Sequence, residues 1–195
     1  MNKKPYDTVI FRKATLADAP AITNLINHFA ASGMMLPKKL TQIFEALREF
    51  VVAIDEDGNV VGCGALRLMW HDLAEVRSLA IHESAQKRGI GRMIVEELIK
   101  EGKEMGLARI FALTYQEKFF QRLGFFRCEK GIFPQKVWAD CRACPKRHCC
   151  DEIAMLLVLD EERAAIANAE ARAQNMMIPS LIEHPIALGS ISIAA

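Results

Sequence analysis

The sequence predicts an α/β chain of the α+β kind, built on one central mixed, mostly antiparallel sheet with helices on both faces. Three observations carry this. FVVAIDEDGNVVGCGALRLM, residues 50–69, holds two apolar runs around Asp57-Gly58-Asn59, a turn that tolerates positive φ as a hairpin requires. IGRMIVEELIKEGKEMG, residues 90–106, has Ile90, Ile94 and Leu98 at four-residue spacing, and Met93, Val95 and Ile99 widen that stripe. Short apolar strands alternate with such helical segments along most of the chain.

In chain order, TVIFRKAT (8–15) reads as a strand. Asp18 is expected to cap a helix with Pro20 in its first turn, Ile22, Leu25, Ile26 and Phe29 inward, and Gly33 at its end. MMLPKK is a loop. A second helix is expected from Leu40 to Glu49 with Ile43, Phe44 and Leu47 inward. After the hairpin, LAEVRSLAIH (73–82) is a strand pairing with its predecessor. The periodic helix follows and ends at Gly106. ARIFALT (108–114) is a strand, QEKFFQRLG a short helix stopped by Gly124, and FFRCEKGIF a strand. A cysteine-rich loop leads to the strand DEIAMLLVL. Beyond Asp160 an alanine-rich helix precedes an irregular apolar tail.

The totals narrow the function. The chain has 195 residues and a net charge of +1, which offers no broad basic field, so no nucleic-acid partner is expected. The longest clean apolar run, Ile153 to Leu159, suits a buried strand and not a membrane span. MNKKPYDTVIF is not a secretory signal, so a cytoplasmic location is expected and the six cysteines should be reduced.

The stretch QKRGIG, residues 86–91, joins glycines and cations directly ahead of a helix N-terminus. Unpaired helix amides, close backbone approach and positive charge together suit a phosphate. Read alone, the hexapeptide serves equally as a cradle or as a solvated glycine turn.

Its setting is more specific. VRSLAIHESAQKRGIGRMIV (76–95) resembles the central motif of the GCN5-related N-acetyltransferase (GNAT) superfamily. LTYQEKFFQRLGF (113–125) resembles that superfamily's second signature, a short helix ending in Leu-Gly-Phe. The likeness covers residues 8–159. It implies a GNAT fold, with residues 1–160 as the N-acetyltransferase domain and 161–195 as a C-terminal helical and irregular tail. It implies acetyl-CoA as co-substrate, held by Gln86, Lys87, Arg88, Gly89, Ile90, Gly91 and Arg92 at the pyrophosphate and by Leu79, Ala80 and Ile81 along the pantetheine arm. In this superfamily a bulge there splays two neighbouring strands, and the resemblance implies that backbone groups in the opening pair with the arm and that an N–H near residues 79–81 polarises the thioester carbonyl.

By its distance from the glycines, Glu75 matches the general base of the histone-acetylating branch. Strand alternation puts Glu75, Arg77 and Leu79 on one face. The bland alternative is that Glu75 and Arg77 pair with each other, or with Arg67 next door. The superfamily's tyrosine acid is replaced by Phe120, which leaves Tyr115 as the nearby phenol.

IFRKAT, GMMLPKKL, AEVRSLAI and VWADCRACP resemble short, single-domain bacterial N-acetylglutamate synthases, amino-acid N-acetyltransferases that open arginine biosynthesis. That implies L-glutamate as substrate, with Arg77, Arg67 and Lys38 as candidates for its carboxylates. Two other readings stay open: acetylation of a different small amine, or a non-catalytic acetyl-CoA sensor with a metal or redox loop. Cys141, Cys144 and Cys149, with His148 in reach, have the density of a zinc site, and read equally as exposed reduced thiols. The apolar tail leaves a homodimer open, as well as packing on its own domain or disorder.

Overall fold

The computed structural model describes residues 8–133 and 149–177. Among them seven strands form one sheet: β1 (Ile10–Lys13), β2 (Phe50–Ile54), β3 (Val60–Leu68), β4 (Leu73–Ile81), β5 (Arg109–Thr114), β6 (Phe126–Cys128) and β7 (Ile153–Val158). Their spatial order is β1-β2-β3-β4-β5-β7-β6, so the last strand inserts between its two predecessors. Every neighbouring pair is antiparallel except β4–β5.

One face is covered by α3 (Ile90–Glu104), whose Ile90, Ile94, Val95 and Leu98 are fully buried against Val51, Leu66, Ala74, Val76 and Ile110. The approach is close because β3 has glycines beneath the helix. A Cβ on Gly64 would stand 2.7 Å from Ile94 Cγ2, and one on Gly62 2.8 Å from Ile81 Cδ1. The other face carries α1 (Ala19–Ala31) and α2 (Leu40–Glu45), whose Ile22, Leu25, Ile26 and Ile43 meet Val52, Cys63, Ala65 and Ala80. Farther along that face, Phe133 stacks on Phe111 at 4.3 Å between ring centres, beside Leu73 and Leu156.

The alanine-rich segment forms α5 (Glu161–Met177), docked on the end of the sheet. Asn168 accepts from the Arg109 guanidinium at 2.6 Å, and Arg163 donates to the Gly106 carbonyl at 2.6 Å. Arg109 is itself ion-paired to Asp72 at 2.6 Å, both side chains being over nine-tenths buried.

Four expectations change. Asp18 stands at the start of α1, but its carboxylate accepts from the Arg12 fork at 2.7 and 3.0 Å and from Thr15 N and Oγ1, not from the amides of α1. That network lowers its pKa to about 2, the Arg12 hydrogen bond being the main cause. The Leu40–Glu49 helix breaks at Ala46, and a separate 3-10 turn spans Leu47–Glu49. Phe44, on α2 next to the buried Ile43 but turned about 100° from it, is 43% exposed, while Ile43 and Leu47 are buried. The FFRCEKGIF strand is only three residues long before a 3-10 turn at Lys130–Ile132.

The fourth concerns β4. Arg77 pairs with Ala65 and Ala80 with Cys63, so Ser78 and Leu79 together oppose Gly64. Ser78 takes φ +53°, a bulge conformation. The extra residue shifts the alternation by one. Leu79 therefore packs with the α3 cluster, and Ala80 replaces it on the face of Glu75 and Arg77.

Candidate active site

The β4–β5 pairing runs from Leu73↔Arg109 through Glu75↔Phe111 and goes no further. Beyond Glu75 the two strands diverge while β4 continues to Ile81. The bulge falls inside this opening. Cys63 Sγ donates to the Ser78 carbonyl at 3.6 Å, and complete burial pushes that thiol's pKa up to about 12.

After β4 the chain turns sharply. Gln86 Nε2 donates to the Ile81 carbonyl at 3.0 Å, tying the loop to the strand end. Lys87 at φ +59° and Gly89 at φ +84° are both left-handed, and they aim the chain into α3. No acidic residue lies in the first turn of α3 and no side chain caps it; the first intrahelical acceptor is Gly89 O, bonded to Met93 N at 3.1 Å. The amides just before Met93 thus have no intrahelical acceptor, and the helix dipole adds positive potential there.

A cleft of about 780 Å³ runs from this turn down the opened strands. Gln86, Lys87, Gly89, Ile90, Gly91 and Arg92 line one end, and Leu79, Ala80 and Ile81 line its length. Glu75 and Arg77 lie on the floor, 3.8 Å apart and each about 15% exposed (16% and 15%). Lys38 reaches the wall from the α1–α2 loop with Met34, Met35 and Leu36. Tyr115 contributes from the turn between β5 and α4 (Glu117–Gln121).

Two expected residues lie off this wall. Arg88 is not among the lining residues. Arg67 is the cross-strand partner of Glu75, but its guanidinium extends to Glu49 at 3.4 Å. Tyr115 Oη donates to Asp151 at 2.8 Å. Phe120, where a phenol was sought, is a core residue at 4% exposure, edge-on to Phe119 and Phe125.

The structure also adds residues that sequence reading missed. Glu49 is half-buried, and burial raises its pKa despite the attraction of Arg67, Arg77 and Lys38. Gln116, Phe119, Arg122 and Glu152 line the cleft. Gln116, Phe119 and Arg122 fall inside the second signature, which could have pointed to them. Glu152 joins through β7, and no local pattern announces it.

Cys141, Cys144 and His148 lie outside the described residues. Among the described residues no group of three His, Cys, Asp or Glu side chains could hold a metal ion. Cys149 and Cys150 are exposed, and Lys130 Nζ is 3.3 Å from Cys150 Sγ. No described helix is long and apolar enough to cross a membrane.

The arrangement can hold an anion at one end, an extended chain along the opened strand, and a carboxylate–guanidinium pair at the far end. Comparison with known proteins agrees. Residues 22–125 match the acetyltransferase (GNAT) family. An uncharacterised N-acetyltransferase of Chlorobaculum tepidum is 45% identical over 78% of this chain and 97% of its own length. An amino-acid acetyltransferase of Mycobacterium tuberculosis is 39% identical over 73% of this chain and 84% of its own. N-acetylglutamate synthase from Neisseria gonorrhoeae, solved with coenzyme A and N-acetyl-glutamate, superposes with a TM-score of 0.70 at 26% identity; the match covers 78% of this chain but 35% of that longer one. The chain belongs to the GNAT family and is an acetyl-CoA-dependent acetyltransferase of that type.

Proposed function

We propose that the protein transfers the acetyl group of acetyl-CoA to the α-amine of L-glutamate, giving N-acetyl-L-glutamate and CoA, the reaction that opens arginine biosynthesis. The observation that carries this is the continuity of one cleft from the cationic turn before α3 to the Glu75–Arg77 floor. The relatives named amino-acid acetyltransferase support the substrate class, and the Neisseria complex supports glutamate within it.

In this reading the pyrophosphate of acetyl-CoA sits on the amides at the start of α3, with Lys87, Arg88 and Arg92 adding charge. The pantetheine arm lies along Leu79–Ile81 in the opening, where a backbone N–H holds the thioester oxygen. Glu75 takes a proton from the substrate ammonium. The freed nitrogen lone pair attacks the thioester carbon, the C–S bond breaks with its electron pair leaving on the CoA sulfur, and the new amide nitrogen gives up its second proton to solvent. Tyr115 or solvent protonates that thiolate, a fair leaving group in itself. Arg77 and Lys38 attract the two substrate carboxylates, Arg77 through its bidentate fork, while Arg67, turned to Glu49, stays off the cleft wall.

A thiol-release assay over glutamate, glutamine, aspartate, ornithine and a polyamine tests this. Glutamate is expected to release CoA fastest. Turnover confined to another amine would overturn the substrate and leave acetyl transfer standing. Silence from every amine, with acetyl-CoA still raising the melting temperature, would overturn catalysis and favour a sensor.

A further inference from the structure

Asn27 sits in the last half of α1, partly buried, and points away from the helix's own backbone toward the following loop. Its side-chain amide makes two hydrogen bonds to one residue. Nδ2 donates to the Lys38 carbonyl at 2.9 Å, and Lys38 N donates to Oδ1 at 2.9 Å. The pair reproduces, with a side chain, the reciprocal bonding of two backbones in a bridge. Asparagine is a poor helix former compared with alanine, so its place in α1 runs against local preference. Both polar ends of the amide are used, and both on a residue eleven positions away.

Lys38 is the one cation that the α1–α2 loop brings to the cleft wall. Met35 packs its side chain against the α1 core, but its loop neighbours Met34 and Leu36 are 51% and 38% exposed, so between Met35 and α2 the Asn27 bonds are what tie the Lys38 backbone to α1. A lysine has four rotatable bonds and no fixed fork, so where its charge falls depends on where its backbone is held.

We propose that Asn27 is a positioning residue for the amine substrate: it latches the backbone of Lys38 to α1 and so fixes that ammonium over the amine end of the cleft. This rests on the acetyl-transfer reading above. Asn27 acts through Lys38 and has no part in the acetyl-CoA end, which is built from β4 and α3.

The test joins steady-state kinetics to hydrogen exchange on the whole chain. In Asn27→Ala the KM for the amine rises about tenfold, the scale of one or two lost hydrogen bonds, with kcat and the KM for acetyl-CoA within about twofold of wild type. The Lys38 amide exchanges faster in the variant without ligand, while the amides of α3 do not. In a Lys38→Met background, adding Asn27→Ala raises the amine KM no further. Asn27→Asp keeps the acceptor and loses the donor, and it serves as the second variant should the alanine form fold poorly; its amine KM rises too. A faster Lys38 amide with an unmoved amine KM overturns the proposal, as does an equal rise in both KM values or an undiminished effect in the Lys38→Met background. If wild type acetylates another amine and not glutamate, the same ratios are read with that amine. If no amine turns over, the acetyl-transfer reading falls and this proposal with it.

Discussion

Glu75 and Arg77 face each other across 3.8 Å on the floor of the cleft, two residues apart on one side of β4. Their cross-strand neighbours are Ala65, part of the core under α1, Phe111, part of the core under Phe133, and Arg67, whose guanidinium turns to Glu49. The pair therefore occupies the gap between two apolar clusters. The separation is long for a charge-assisted hydrogen bond, which closes to about 2.7–2.9 Å. Glu75→Gln keeps the shape and removes the proposed base, so kcat should fall about 10²–10⁴-fold while acetyl-CoA affinity stays within threefold. Steady-state kinetics alongside calorimetric CoA binding would separate the two, and equal losses in both would count against a base.

Gly89, before α3, and Gly91, in its first turn, should respond in opposite ways. Gly89 has φ +84°, where a Cβ costs about 1–2 kcal/mol. Gly89→Ala should lower thermal stability and weaken acetyl-CoA binding about tenfold, because the turn that aims the amides is distorted. Gly91 has ordinary helical geometry, and a Cβ there would meet Ile81 at 3.5 Å and Phe119 at 3.7 Å, normal contact distances. Gly91→Ala should raise stability by roughly 0.5–1 kcal/mol from helix propensity. Melting curves of both variants check the contrast.

Asp18 makes stability depend on acid. Its folded-state pKa of about 2 lies below its ordinary 3.8, so the folded protein holds this proton less tightly than the unfolded chain. The stabilisation is complete above the unfolded value and is lost as pH falls through 3.8 toward 2. With Arg12 39% exposed, solvent screening reduces the contribution to about 1–2 kcal/mol. Urea unfolding of wild type and Asp18→Asn should differ by that amount at pH 7 and converge near pH 2.

Thiol chemistry should sort the cysteines by environment. Cys149 and Cys150 are exposed and should alkylate readily in the native protein. Cys63 is fully buried with its thiol pKa pushed up to about 12, so it should react only after unfolding. Cys128 is half-buried and raised by burial, and should be slow. Mass spectrometry after timed iodoacetamide labelling reads this order; early labelling of Cys63 would contradict the bulge packing.

The clamp under α5 should be costly to break on one side. Asp72 and Arg109 are buried together, and Asn168 of α5 completes the guanidinium's bonds. Asp72→Ala leaves a buried cation without its counter-charge, at a cost of about 3–5 kcal/mol. Replacing both by apolar residues should recover most of that loss, as measured by denaturant midpoints.

Much of this was legible in the chain because it is locally encoded. The period of Ile90, Ile94 and Leu98 gave α3, and the Asp-Gly-Asn turn gave the β2–β3 hairpin. Cleft residues were found where they sit on one continuous strand–turn–helix unit. The misreadings have physical causes. The family resemblance implied a bulge at this strand end, but strand alternation was carried straight through it to place Leu79 beside Arg77, because no residue type marks where the bulge falls: Ser78 takes positive φ without being a glycine. Phe44 looked inward because its apolar type was read as core, although one helical residue past Ile43 it faces about 100° away from the buried side. Glu49 and Asn27 went unnoticed because their roles come from partners on other segments, Arg67 and Lys38. Insertion of β7 between β5 and β6 is likewise a long-range choice that no local window contains.

The three-residue length of the β4–β5 pairing has a mechanical meaning. It leaves the sheet as two leaves stitched at one end, one carrying β1 to β4 and the other β5 to β7. Whatever lies in the open end touches both leaves and takes the place of the missing rungs. On the proposed reading, cofactor lying in the open end becomes a temporary strand of the architecture, and each release returns the sheet to two leaves held by those three pairs.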